Sequence, residues 1–170
     1  MKSNKNIVLV GMMGSGKSSI GKVLSEKLSL DFIDIDKIIE EKENMNISDI
    51  FKTKGEKYFR KIEEQISINI LNLNNKVISL GGGGYINPKI RKQTLKNSIS
   101  IWLNWKHGAL IDRIKNSKKR PLIVNMSISE IKKLIINRSK IYNNSNFKID
   151  CDDLNKKQIV NKIIQYYESK

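Results

Sequence analysis

Apolar residues follow two rhythms along this chain. Ile7, Val8, Leu9 and Val10 form an unbroken run of strand length, and Ile20, Val23, Leu24 and Leu28 then recur at helical spacing. The same alternation continues. Leu30, Phe32, Ile33 and Ile35 read as a second strand, closing on Asp34 and Asp36, and Ile38 and Ile39 open a helix. Ile47 to Phe51 reads as a short capped helix, Gly55 interrupts it, and Phe59, Ile62, Ile66, Ile70 and Leu73 predict a long helix beyond. Val77, Ile78 and Leu80 make a third strand, Pro88 opens a helix, and Ile99 to Leu103 make a fourth strand. Leu110, Ile111 and Ile114 lie on a further helix. A helix over about 128–142, a strand at 147–149 and a last helix carrying Ile159, Val160, Ile163 and Ile164 complete the series. Strands alternating with helices predict an α/β domain with a parallel sheet covered on both faces. Ligands of such sheets bind beyond the carboxyl ends of the strands.

The first of those ends carries the clearest chemistry. Gly11-Met12-Met13-Gly14-Ser15-Gly16-Lys17-Ser18 is G-x-x-x-x-G-K-S, flanked by a strand and a helix as a phosphate-binding loop requires. Gly14, Ser15, Gly16, Lys17, Ser18 and Ser19 are therefore the expected ATP-binding set. Their amides and the helix N-terminus face an anion, Lys17 reaches the outer phosphates, and the Ser18 hydroxyl can ligate magnesium.

Length and composition narrow the frame. With 170 residues and no Pro- or Gly-rich linker, a single domain is expected over 1–170. The one cysteine, Cys151, excludes an internal disulfide and fits a reducing compartment. The run at 7–10 is too short for a secretory signal, and no stretch reaches the roughly 18 apolar residues of a membrane span. A soluble, cytoplasmic protein is expected. The net charge of +15, from 32 Lys and Arg against 17 Asp and Glu, raises nucleic-acid binding as a possibility. The lysines are spread among asparagines and isoleucines, however, with no aromatic-interleaved basic ribbon to stack bases. A compositional bias explains them better.

Five features beyond the loop bear on the acceptor. Asp34 can hold the magnesium shell, directly or through water, and Asp36 can take the proton of an acceptor hydroxyl. If the chain is still extended there the two share a face; if a helix has begun they do not, and both could simply cap it. Arg60 and Glu63, three apart on one helix, pair so that the carboxylate orients a guanidinium clamp for an anion, unless the pair is only a solvated surface contact. The four glycines 81–84 let a ligand approach backbone. Arg120, before Pro121 in a basic segment, can swing onto the transferring phosphoryl group, an effect of roughly 10³–10⁵ in rate. Arg113 can stack on the nucleotide base, and Arg138 is a second anion clamp. His107, Cys151, Trp102, Tyr166 and Tyr167 read as structural, and Trp105 as cover for an edge of the lid.

Taken in order, the loop 11–18, Asp34 and Asp36, Ile50-Phe51, Gly55-Glu56, Phe59-Arg60, Glu63, the glycine turn, Arg120-Pro121-Leu122, and Arg138 with Tyr142 resemble the shikimate kinase family over nearly the whole chain. The resemblance implies a nucleoside-monophosphate-kinase-like P-loop NTPase fold, a three-layer α/β/α sandwich around a five-stranded parallel sheet. It implies transfer of the ATP γ-phosphoryl group to the 3-hydroxyl of shikimate with Mg²⁺, on the route to chorismate and aromatic amino acids. Asp36 would bind the acceptor hydroxyls, Arg60, Arg138 and the Gly82 backbone the carboxylate, and Phe51 and Phe59 would line the pocket. Lys17 and Arg120 would join Asp36 in catalysis, Arg113 would flank the adenine, and Ser18 with Asp34 would serve the metal. An acceptor subdomain over about 34–62 and a mobile lid over about 110–124 are expected, in a monomer whose partners are shikimate and ATP. Departures lie after Asp150, where Cys151, Asp152, Asp153, Leu154 and Asn155 replace the family's threonine and its arginine- and proline-bearing loop, and, more mildly, at Ser19 and Gly84. Another small P-loop kinase, such as a gluconate kinase, is the alternative enzyme. A non-catalytic nucleotide- or nucleic-acid-binding module is the alternative class.

Overall fold

A computed structural model describes residues 4–115 and 121–170. The strand β1 (Asn6–Val10) leads through the phosphate loop into helix α1 (Lys17–Leu28), followed by β2 (Asp31–Asp34), α2 (Ile35–Glu43) and α3 (Ile47–Leu71). Then come β3 (Lys76–Ser79), α4 (Pro88–Asn97), β4 (Ser98–Asn104), α5 (His107–Lys115), α6 (Ile128–Tyr142), β5 (Phe147–Asp150) and α7 (Lys156–Glu168). Short 3₁₀ turns stand at Gly84–Ile86 and Pro121–Ile123.

The five strands form one parallel sheet in the order β2-β3-β1-β4-β5. Every residue of β1 is buried because both of its faces are covered. Val8 and Val10 face one core with Ile35, Ile39, Phe59 and Ile62 from α2 and α3, while Ile7 and Leu9 face another with Ile20, Leu24, Ile159 and Ile163 from α1 and α7. Fully burying such side chains stabilises the fold by about 1.5–3 kcal/mol each. The phosphate loop therefore hangs from the best-anchored strand. Chain order reverses direction across the sheet at β1, which sets a crevice at its carboxyl end.

Local signals set the helix starts. Asn46, Asn87 and Asn155 accept the free amides of α3, α4 and α7, Pro88 opens α4, and Ser127 with Glu130 forms a capping box on α6. The interruption at Gly55 is a kink within α3, at φ 81° and ψ 165°. The second strand stops sooner than its apolar run suggests. Ile35 already belongs to α2, and Asp34 caps that helix by accepting from the Asp36 amide at 3.1 Å. The two aspartates thus do not share a strand face. The stretch assigned to the lid is described only in part: 116–120, including Arg120, lie outside the described residues. Among the described residues, no helix is long and apolar enough to cross a membrane.

Candidate active site

The phosphate loop is shaped by its glycines. Gly14 and Gly16 sit at φ 80° and 89°, in the left-handed region that other residues enter only with strain. Gly16 is the N-cap of α1 and offers no capping side chain, so the first amides of the helix stay open to an anion. Lys17 is buried and folds back over the loop, donating to the carbonyls of Gly11 at 2.8 Å and Met12 at 2.9 Å. The Ser18 hydroxyl donates to Asp34 Oδ2 at 2.5 Å. These are two hard oxygen donors of the kind that suit a small divalent cation.

Beside the loop lies a cavity of about 450 Å³. Gly14, Gly16, Lys17, Ser18 and Ser19 border it on one side; Asp36, Phe51, Phe59, Arg60, Glu63, Gly82 and Gly83 border it on the other. Phe51 and Phe59 pack at 4.8 Å between ring centroids, and the Arg60 guanidinium lies 5.2 Å from the Phe59 ring. Arg60 Nη1 donates to Glu63 Oε2 at 2.6 Å, while its Nε and Nη2 reach Glu56 Oε1 at 3.2 and 3.1 Å. Glu63 is only 2% exposed, which rules out a solvated surface pair. Burial works against the charge of Arg60, but Glu63 and Glu56 outweigh it and hold the guanidinium protonated.

The glycine turn after β3 is required by close approach. A Cβ on Gly83 would stand 2.4 Å from Arg60 Nη1, and one on Gly81 would stand 2.5 Å from Asp36 Oδ1 and 2.7 Å from Glu63 Oε1. Gly81 therefore lets two carboxylates converge. Burial raises the pKa of Asp36 to about 7, helped by Glu63 and Asp34 and opposed by Lys17. Burial also raises Glu63, which Arg60 opposes, and its Oε1 is buried without a hydrogen-bond partner.

Arg138 comes to this turn from α6, donating through Nη1 to the Gly82 carbonyl at 3.2 Å. The buried Tyr142 hydroxyl donates to the same carbonyl at 2.5 Å. Arg60, Asp36 and the phosphate loop thus border one space, and Arg138 reaches the Gly82 carbonyl at its edge.

A family model described as "Shikimate kinase" matches residues 13–168. The chain belongs to the shikimate kinase family. A shikimate kinase of Sulfurihydrogenibium sp. is 45% identical over 160 residues, spanning 94% of this chain and 96% of that one. One of Persephonella marina is 41% identical over 94% and 97% of the two chains. Among solved structures, the Aquifex aeolicus shikimate kinase superposes with a TM-score of 0.87 at 33% identity, covering 96% of each chain. The Acinetobacter baumannii enzyme in complex with shikimate gives 0.92 at 27% identity, covering 99% of this chain and 95% of that one. A Sinorhizobium meliloti gluconokinase aligns at a TM-score of 0.54 and 17% identity, over 99% and 92% of the chains, which shows a shared fold and no more. As a member of the shikimate kinase family the chain is an ATP-dependent phosphotransferase acting on a hydroxyl group.

Among the described residues, four of the expected ones do not border the cavity itself: Asp34 meets it through Ser18, Arg138 through the Gly82 carbonyl, and Ser15 and Arg113 stand apart. Ser15 is buried beneath the loop. Arg113 is exposed on α5 and lies over the Trp105 ring, 3.7 Å from its centroid. Trp105 reads in the sequence as cover for an edge of the lid; Arg113, at the start of that segment, lies over its ring, and its indole N–H donates to the Ser15 carbonyl at 2.9 Å. Met13 and Ile47 line the cavity as well, although the sequence alone gives them no part in a site. Nothing local marks them, since their role depends on how α3 folds back over β1. Cys151 is fully buried, with its thiol pushed up to about 12 by burial, in keeping with a packing role.

Proposed function

We propose that this chain transfers the γ-phosphoryl group of ATP to the 3-hydroxyl of shikimate, releasing ADP and shikimate 3-phosphate. What carries the reading is the single cavity bordered by Lys17 and Ser18 at one side and by Asp36, Arg60 and Glu63 at the other. A small ring acid with one carboxylate and several hydroxyls matches that division. Arg60, prealigned by Glu63 and Glu56, and Arg138, aligned on Gly82, take the carboxylate. Phe51 and Phe59 cover the apolar ring edge.

Asp36 is the general base. A carboxylate poised near neutral accepts the hydroxyl proton as the acceptor oxygen bonds to the γ-phosphorus and the bridging oxygen leaves with ADP. Lys17 leaves its loop carbonyls for the β- and γ-phosphate oxygens, and Arg120 meets the transferring group from the lid segment over about 110–124. Arg113 flanks the base. Mg²⁺ would be held by Ser18 and Asp34, where it neutralises phosphate charge. The enzyme works on small molecules, as a cytoplasmic monomer.

An acceptor panel tests this. With purified protein, ATP and Mg²⁺, coupled detection of ADP is expected to show turnover on shikimate and background on gluconate; turnover on gluconate and none on shikimate overturns the proposal.

A further inference from the structure

Trp105 is tied into the phosphate loop from outside it. It follows β4, at the same sheet edge as the loop, and its indole N–H donates to the carbonyl of Ser15, a residue with no exposed surface. That bond fixes the plane of the ring. The Arg113 guanidinium lies over the indole, 3.7 Å from its centroid. Arg113 is otherwise exposed and takes part in no ion pair among the described residues, so the guanidinium has one face on the indole and the other open.

Trp105 also borders a second cavity, of about 370 Å³, with Asn104, Lys106, His107, Asp150, Asp152 and Asp153. Three carboxylates outnumber Lys106 there, which makes that space less favourable to phosphate than to an uncharged ring bearing hydrogen-bond donors. The phosphate loop, a few residues away through Ser15, has the opposite preference. A nucleotide laid across this edge therefore has one orientation: polyphosphate in the loop and base on the Trp105 side.

We infer that Trp105 is a positioning residue for the nucleotide, holding the Arg113 guanidinium flat so that its open face stacks on a purine base. The chain of contacts runs from loop carbonyl to indole, from indole to guanidinium, and from guanidinium to base. The first two links exist before the nucleotide arrives, so the stack on the base forms without ordering a long side chain at the moment of binding. The inference rests on ATP as the phosphoryl donor proposed above.

The test separates base from phosphate. Binding of ATP and of inorganic tripolyphosphate, each with Mg²⁺, is measured by calorimetry on the full chain without acceptor. Trp105→Leu is expected to weaken ATP about tenfold and to leave tripolyphosphate within about twofold. Trp105→Phe, which keeps a ring beneath the guanidinium, is expected to recover most of the ATP affinity. In turnover assays the leucine variant raises KM for ATP and leaves KM for shikimate unchanged. Equal losses for ATP and tripolyphosphate would mean that Trp105 only shapes the loop, and unchanged ATP binding would remove it from the site; either result overturns the inference. If the leucine variant fails to fold, Arg113→Gln is expected to give the same split, and its absence is equally decisive. An unaltered protein that binds ATP well above tripolyphosphate yet turns over no shikimate would defeat the proposed reaction and leave the role of Trp105 standing.

Discussion

Replacing Asp36 by Asn is expected to make the protein more stable while abolishing turnover. The carboxyl is half-buried beside Glu63 and Asp34, and its pKa is raised from 3.8 to about 7, chiefly by burial. Below about pH 4 the group is protonated in both the folded and unfolded chains and affects stability in neither direction. As pH rises from there to 7 the unfolded chain ionises and the folded one does not, so stability falls by up to about 1.4 kcal/mol per pH unit. Above pH 7 the penalty is constant, with a ceiling of ~4 kcal/mol. Water reaches part of the side chain and Lys17 attracts its charge, which lowers the realised gain in Asp36→Asn to ~1–2 kcal/mol. For a chain of this size that is a rise of roughly 2–8 °C in Tm. Thermal unfolding of both proteins at pH 5 and pH 8 reads the effect, and the difference between them cancels the titrating groups that do not interact with Asp36. The increment should be larger at pH 8 than at pH 5. A lower Tm for the variant at pH 8, or the same increment at both values, would refute the account of this carboxylate.

Other perturbations separate the parts of the acceptor clamp. Gly83→Ala places a Cβ 2.4 Å from the tip of Arg60, a flexible side chain that can give way, so KM for shikimate should rise about tenfold (about 1.4 kcal/mol) with Tm nearly unchanged. Steady-state kinetics beside a melting curve checks it, and an unchanged KM would free Arg60 from the carboxylate. Tyr142→Phe removes a donor to the Gly82 carbonyl and should raise KM for shikimate by about 3–10-fold, in line with ~1 kcal/mol for a lost hydrogen bond, while KM for ATP stays put. Tyr85→Phe deletes another buried hydroxyl that is not bonded to Gly82 and should leave both constants alone. Cys151, fully buried with its pKa near 12, should resist alkylation at pH 8 until denaturant is added; rapid labelling of the native protein by mass spectrometry would contradict its placement.

How much of this was legible in the sequence follows from how far apart the cooperating residues lie. The phosphate loop is contiguous and could be read directly; helical spacing pairs Arg60 with Glu63, but only the burial of Glu63 separates that pair from a solvated surface contact. The aspartate pair was ambiguous because its geometry turns on whether Ile35 ends a strand or starts a helix, a difference of one residue. Gly82 and Tyr142 are 60 residues apart, and Ser15 and Trp105 are 90 apart. No periodicity joins them. They meet because β3, β1 and β4 are neighbours in the sheet and α6 packs over their carboxyl ends. The need for glycine at 83 was likewise invisible, since the atom it spares belongs to a side chain on another helix.

In the proposed reaction the cavity joins a polyphosphate grip to a carboxylate clamp so that a single hydroxyl is phosphorylated. Phosphorus NMR of a reaction containing the protein, ATP, Mg²⁺ and shikimate tests it most directly. The expected spectrum shows ADP and one new phosphomonoester, coupled to the proton on carbon 3 of the ring. Inorganic phosphate in place of an ester, or phosphate spread over several hydroxyls, would contradict it.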